Sequence, residues 1–152
     1  VGSWYQEIDE NGNHLSNRKL PINQEEISLF FMKRSPFAHP SVMFNRSLFE
    51  KAGCYATDTY LMEDYVLWGN ALKSGLIMAN IPEYLLKFRI DKDFYKRRSG
   101  IKFGFNFIFT KFKINKSLKV PIHAYFFSVI IGLVRMMPVR IIRYIYFILR
   151  KH

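Results

Sequence analysis

Met62-Glu63-Asp64-Tyr65-Val66-Leu67-Trp68 decides how this chain is read. Tyr65, Trp68 and Leu72 recur at spacings of three and four, with Leu67 and Ala71 beside them. That period predicts an amphipathic helix from Glu63 to Ser74, ended by Gly75. Glu63 and Asp64 open it. Carboxylates in a first turn stabilise the exposed amides and the helix dipole by about 0.3–1 kcal/mol, a sufficient reason for their presence. A second role is open to them. A hydroxyl nucleophile titrates far above neutrality, so its attack needs a carboxylate within hydrogen-bond reach to take the proton. Helical neighbours point about 100° apart, so one of the two can cap while the other faces a cleft.

Upstream, Val1 to Ile8 has the pattern of a strand. Asp9-Glu10-Asn11-Gly12-Asn13 supplies a turn and His14 to Ser16 a return strand. Asn23 is placed to cap a helix over Gln24–Met32, with Glu25 and Glu26 in its first turn. Pro36 and Pro40 force extended backbone before them, and Ser41 to Asn45 reads as a short buried strand entered through His39-Pro40. Ser47 is a candidate cap for a short helix that stops at Gly53, followed by a loop over Tyr55–Tyr60. Downstream, Leu76–Asn80 and Tyr84–Ile90 read as strands on either side of Ile81-Pro82-Glu83, and Asp91–Gly100 as a charged loop. From Ile101 the chain is aromatic, basic and helical, and Pro121 and Pro138 divide it into three helices. The fold class is α/β.

The chain has 152 residues, 49% of them hydrophobic and a net charge of +11, which excludes a disordered polymer and allows a real core. The charge is uneven. Residues 1–86 hold 7 Lys+Arg against 10 Asp+Glu, whereas residues 87–152 hold 16 against 2. Composition thus shifts near residue 91 and suggests two parts, 1–95 and a basic helical tail, 96–152. A basic tail is a footprint for phosphate in lipid, nucleotide or nucleic acid. The one cysteine, Cys54, has no internal partner, and no secretory signal opens the chain, so a cytoplasmic location is expected.

Several segments together resemble glycosyltransferase family 2, of GT-A fold. They are the strand over residues 1–8, the Asp-Glu-Asn-Gly turn, Lys19-Leu20-Pro21, Pro36-Phe37-Ala38-His39-Pro40-Ser41-Val42-Met43-Phe44, Ala52-Gly53-Cys54-Tyr55, Glu63-Asp64-Tyr65-Val66-Leu67-Trp68 and Asn80-Ile81-Pro82-Glu83. Each is weak alone, but the ordered set covers residues 1–100. Cys54 stands where a second glycine is usual, and Val66 where an aspartate is frequent. The resemblance implies the acceptor-side part of an enzyme that moves a sugar from a nucleotide-sugar donor to a glycan or lipid-linked hydroxyl, with inversion. Asp64 is then the base. Glu63, His39 and Trp68 fall on the substrate side, although His39 could equally only fix the entry to its strand. A divalent metal, Mn²⁺ or Mg²⁺, is implied for the complete enzyme, with no ligand in this chain. Asp91-Lys92-Asp93 has the spelling of the family's metal motif but follows the last strand, so it reads as a solvated loop. The donor half is expected in about 80–120 residues upstream of Val1. Residues 1–152 alone are expected neither to turn over nor to hold a nucleotide sugar tightly.

Lys96-Arg97-Arg98-Ser99-Gly100 is either a solvated charge run or a contact for the phosphate of a donor or lipid-linked acceptor, with Arg89 a lesser candidate. Val120 to Val134 carries no charge, but fifteen residues fall short of the roughly 20 that span a bilayer. Arg135, Arg140, Arg143 and Arg150 follow within an arc of roughly 140°. Such a helix suits the surface of an anionic membrane, at the inner face of the cell membrane, or packs on another part of the protein. A non-catalytic basic module for membrane or nucleic acid is the competing description. Nucleic acid is disfavoured because the aromatics sit in apolar helical runs and no nucleic-acid motif is visible.

Overall fold

The computed structural model describes residues 1–150, without the side chains of Phe147, Leu149 and Arg150. The expected place of Arg150 in a basic arc therefore lies outside the described residues. Among the described residues, three strands and seven α-helices follow one another as β1 (Gly2–Ile8), β2 (His14–Arg18), α1 (Gln24–Phe31), α2 (Ser47–Ala52), α3 (Glu63–Lys73), β3 (Asn80–Arg89), α4 (Phe94–Arg97), α5 (Ile101–Ser117), α6 (His123–Met136) and α7 (Val139–Arg150). The sheet order is β2-β1-β3, with β2 antiparallel and β3 parallel to β1. The mixed α/β class is as expected from the sequence.

Local chemistry explains the elements. Asn23 accepts the Glu26 amide at 2.9 Å and Glu26 returns a bond to the Ile22 amide at 2.8 Å, so the start of α1 is capped from both directions. The short helix α2 begins at Ser47 rather than being capped by it; Arg46 before it gives no side-chain cap, and the Asn45 side chain accepts the Ser47 amide at 3.0 Å. It ends at Gly53, φ +80°.

Two strand expectations are corrected. Ser41–Asn45 is not a buried strand: His39–Ser41 forms a 3-10 turn, extended chain follows, and Met43 is 80% exposed. Pro40 has no amide to give a ladder, and the Ser41 hydroxyl itself takes the Ser3 amide at 3.1 Å. Likewise Leu76–Asn80 and Tyr84–Ile90 are not two strands around a proline break. Only Asn80 of the first is in a strand, and β3 runs through Pro82. Ser3 pairs with Ile81 and Trp4 with Tyr84, so Pro82 and Glu83 bulge out of the register and the missing proline amide costs no ladder bond. The charged loop after β3 also holds one short helix, α4.

Asn80 begins β3 and fixes two loops at once. Its amide nitrogen donates to the carbonyls of Pro21 and Pro36, at 2.7 and 3.0 Å. A Cβ on Gly2 would stand 2.3 Å from the Asn80 oxygen, so this approach requires glycine at position 2. The segment that leads to His39 is held from that bond.

The core is built from Ile27 and Phe31 of α1, Leu67, Trp68 and Ala71 of α3, and Phe107 and Ile114 of α5. Helices α5 and α6 form a hairpin whose backbones meet at Gly104 and Gly132. A Cβ on Gly104 would stand 2.7 Å from the Gly132 carbonyl. Buried among the apolar side chains is Lys111, 0% exposed. Its amine donates to the carbonyls of Phe31 (3.3 Å) and Met32 (2.9 Å) and to the Tyr65 hydroxyl, and Tyr65 in turn donates to Phe31. The lysine thus satisfies the carbonyls that α1 leaves open at its end.

Burial pulls the Lys111 amine down to about 8. Between that value and its ordinary 10.5 the unfolded chain binds the proton more firmly than the folded one. Stability therefore rises with pH across this window, by about 3 kcal/mol. We expect urea unfolding of Lys111→Met to lack that alkaline rise. Equal pH slopes for the variant and the parent would place the amine in water.

Candidate active site

The chain reaches α3 through Leu61, whose φ of +55° is left-handed for a residue with a branched side chain and costs about 1–2 kcal/mol. Strain of this kind collects at functional sites. No side chain caps α3 from Met62; instead an oxygen of Asp64 accepts the Tyr65 amide at 2.7 Å. The other Asp64 oxygen has no hydrogen bond among the described residues. Capping and a free acceptor are combined in one carboxylate.

Asp64 is half-buried, neither sealed in the core nor fully open. Burial pushes its pKa up; the Tyr65 amide and the charges of His39 and Arg98 draw it partly back, and Glu63 adds to the rise. The His39 ring is stacked on Tyr55 at 5.5 Å and tilted against Trp68 at 5.9 Å. Trp68 is 1% exposed and also meets Phe37, so it forms the wall behind His39 rather than a surface for a ligand.

Arg98 comes from the far side, just before α5. Its guanidinium lies 4.3 Å from the centre of the Phe94 ring, and burial, with Arg97 and Arg135 nearby, lowers its pKa. Arg135, on α6, donates to the Arg98 carbonyl at 3.5 Å and lies over the Phe107 ring at 4.7 Å. The tail helices thereby set the height of Arg98 against Asp64.

The structure brings together Asp64, Glu63, His39 and Arg98, with Trp68 behind. It does not bring Arg89 or Arg97 there. Arg89 donates to the carbonyls of Asp9 and Glu10 at 2.9 and 2.6 Å and pins the β1–β2 turn. Arg97 pairs with Asp91 at 2.8 Å, which also holds the Asp91 carboxyl below its ordinary pKa. A hollow of ≈ 300 Å³ opens beside that pair, between Asp9, Tyr95 and Arg143, and does not include Asp64. Among the described residues no three His, Cys, Asp or Glu side chains gather closely enough to hold a metal ion.

Tyr55, Asn80, Lys111 and Arg135 take part in building the site; the sequence names Tyr55 and Asn80 only within motifs and Arg135 only within the basic arc, and it does not single out Lys111. Lys111 had a legible signal: it follows Phe103 and Phe107 at spacings of four, on the apolar side of its helix. The contacts of Tyr55 with His39 and of Arg135 with Arg98 had none, because each joins residues distant in sequence.

No family model and no solved structure matches the chain. Curated proteins do. It is 31% identical over 148 residues to the UDP-Gal:alpha-D-GlcNAc-diphosphoundecaprenol beta-1,3-galactosyltransferase of Escherichia coli, covering 96% of this chain and 53% of that one. It is 31% identical over 145 residues to the amylovoran biosynthesis glycosyltransferase AmsE of Erwinia amylovora, covering 92% and 52%. An uncharacterized glycosyltransferase of Haemophilus influenzae is 35% identical over 101 residues. These relatives are glycosyltransferases. The chain spans about half the length of the first two, as a partial glycosyltransferase domain would.

The raised Asp64 pKa carries a stability consequence. Through the window above the ordinary carboxylate range, the folded state keeps a proton that the unfolded chain has lost. Stability then falls as pH rises through the window, and the cost persists above it. Asparagine can still accept the Tyr65 amide without the charge. Urea unfolding of Asp64→Asn should show a gain in stability at neutral pH that vanishes in acid. A loss at neutral pH would mean the carboxylate is held by favourable partners.

Proposed function

We infer that this chain is the acceptor-side part of a family 2, GT-A glycosyltransferase that makes a surface polysaccharide or glycolipid. The observation that carries the reading is Asp64: a half-buried carboxylate with one oxygen anchored on the Tyr65 amide and the other without a described hydrogen bond, on a chain similar over nearly its full length to glycosyltransferases. In this reading Asp64 takes the proton of the acceptor hydroxyl as its oxygen attacks the anomeric carbon. The bond from that carbon to the donor diphosphate breaks, the nucleoside diphosphate leaves, and configuration inverts. His39 and Glu63 border the approaching acceptor. Arg98 suits a phosphate oxygen near the acceptor, since a guanidinium stays charged even when partly buried.

The E. coli relative is named for an acceptor sugar on diphosphoundecaprenol. By the same reading the acceptor here is a sugar on a lipid diphosphate, the donor is a nucleotide sugar, and the protein works at the inner face of the cell membrane. Any divalent metal, Mn²⁺ or Mg²⁺, takes its ligands outside these 152 residues, and so does the donor. Residues 1–152 alone are then inactive.

In the full-length protein, Asp64→Asn should lower transfer by about 10²–10⁴-fold while the variant stays folded and unfolds no earlier than the parent. A folded variant that keeps more than about a tenth of the parent rate would remove Asp64 from the chemistry.

A further inference from the structure

The outer face of the α5–α6 hairpin is apolar and uncovered. On α5, Ile101, Phe105 and Phe109 step by four residues; on α6, Phe126, Ile130 and Leu133 step by four and three. All six are exposed, Phe109 by 64% and Phe126 by 66%. Phe105 and Phe109 lie side by side, ring centres 6.5 Å apart. The hairpin seam at Gly104 and Gly132 and the core contacts of Phe107, Ile114 and Ile131 take up the other sides of the two helices. At about 100° per residue, the α5 stripe lies about 60–140° from Gly104 and the α6 stripe about 100–160° from Gly132, both on the side away from the core, so in an antiparallel pair the two stripes share the outer side of the hairpin. A monomeric protein in water rarely leaves so continuous an apolar face bare.

What borders the face narrows its occupant. No Asp or Glu occurs anywhere in residues 94–152. Lys102, Lys113 and Lys116 are exposed on α5 and His123 on α6. Among these only Lys113 has an ion pair, to Asp58 at 3.9 Å, on the opposite edge from the seam. Among the described residues no helix is long and apolar enough to cross a membrane. Aromatic and aliphatic side chains bordered by lysines, with Asp58 beside one of them, on helices too short to span, fit the boundary of an anionic leaflet.

The geometry points to the outer face of α5 and α6 as a docking surface for an anionic lipid bilayer. This rests on the reading of a lipid-linked acceptor and adds an orientation to it. The Gly100 amide donates to the Arg135 carbonyl at 2.8 Å, which joins the start of α5 to the end of α6. Arg98, two residues earlier, is one of the cations that act on the Asp64 carboxyl, and Tyr60, four residues before Asp64, sets its ring edge-on to Phe103 near the start of α5, 6.5 Å between centres. The carboxylate therefore stands at the end of the hairpin where Ile101 and Leu133 meet the lipid. An acceptor sugar carried on a lipid diphosphate would rise from the leaflet at that end, and not at the end near Ser117 and Pro121.

The test is flotation of the full-length protein with vesicles of phosphatidylcholine, and of phosphatidylcholine with roughly one part in three phosphatidylglycerol. The parent should float with the anionic vesicles and much less with the neutral ones. Phe109→Ser/Phe126→Ser/Ile130→Ser changes only exposed positions and should cut anionic binding by at least about tenfold while unfolding stays native-like. Equal binding by this variant overturns the proposal. So does a parent that binds no vesicle but is oligomeric in solution and becomes monomeric with the substitutions, since the face would then cover a second protein. Transfer to a water-soluble acceptor separates the two readings: the variant should keep it and lose transfer to a vesicle-embedded acceptor. Absence of any transfer by the parent would count against the glycosyltransferase reading and leave the vesicle result to stand by itself.

Discussion

An ammonium group buried among aromatic rings joins three helices that are far apart in sequence. Lys111 reaches from α5 to the open carbonyls at the end of α1 and to the hydroxyl of Tyr65 on α3, while the Tyr65 ring stacks on Phe31 at 4.3 Å. Stripping water from a lysine costs several kcal/mol unless each donor finds an acceptor, and here three acceptors surround one amine. The lysine also lies 4.6 Å from the centre of the Tyr65 ring, where its charge is further stabilised. Misplacing any of the three helices would leave a charge or a carbonyl unpaired in the core. The cluster therefore fixes an arrangement as much as it adds stability.

Asp64 is the residue next to Tyr65, and this is how the core reaches the candidate site. The tyrosine is drawn inward by Lys111 and Phe31, so its neighbour, about 100° around the helix, is turned towards the rim. The left-handed Leu61 brings the chain in at the required angle. Opposite, Asn80 holds the segment leading to His39, and Arg135 holds the backbone of Arg98. None of these supporting contacts is within hydrogen-bond reach of the carboxylate, yet each sets where one of its neighbours stands. Burial, not a nearby anion, is the main cause of the raised Asp64 pKa, which is what such an environment does to a proton acceptor.

The hairpin α5–α6 has two sides with different work. Its inner side adds Phe107 and Ile114 to the core and, through Arg135, reaches the site. Its outer side leaves a row of large apolar groups in the open. Close contact at Gly104 and Gly132 keeps the two helices together without any apolar side chain from the outer face being spent on the seam.

Period and local chemistry in the sequence were enough for most elements. The amphipathic run from Glu63, the Asn23 cap, the Asn-Gly turn and the prolines at 121 and 138 act over a few residues, and each is visible where it acts. The uneven charge and the missing carboxylates after Asp93 were equally plain. What sequence could not settle was anything decided by a distant partner. Pro82 looked like a break and became part of a strand, because β1 opposite it could pair around a bulge. Ser41–Asn45 looked like a strand and is not one, because the Ser41 hydroxyl took the amide that a ladder would use. Arg97 and Arg98 are indistinguishable in the sequence, with Arg89 a lesser candidate. Asp9, Asp91 and Phe94 sorted them, and of the three only Arg98 acts on the Asp64 carboxyl. Local rules determine which segments become helices. Which side chains meet is set by burial and by the need to pair every buried polar group, and those act only once the chain is folded.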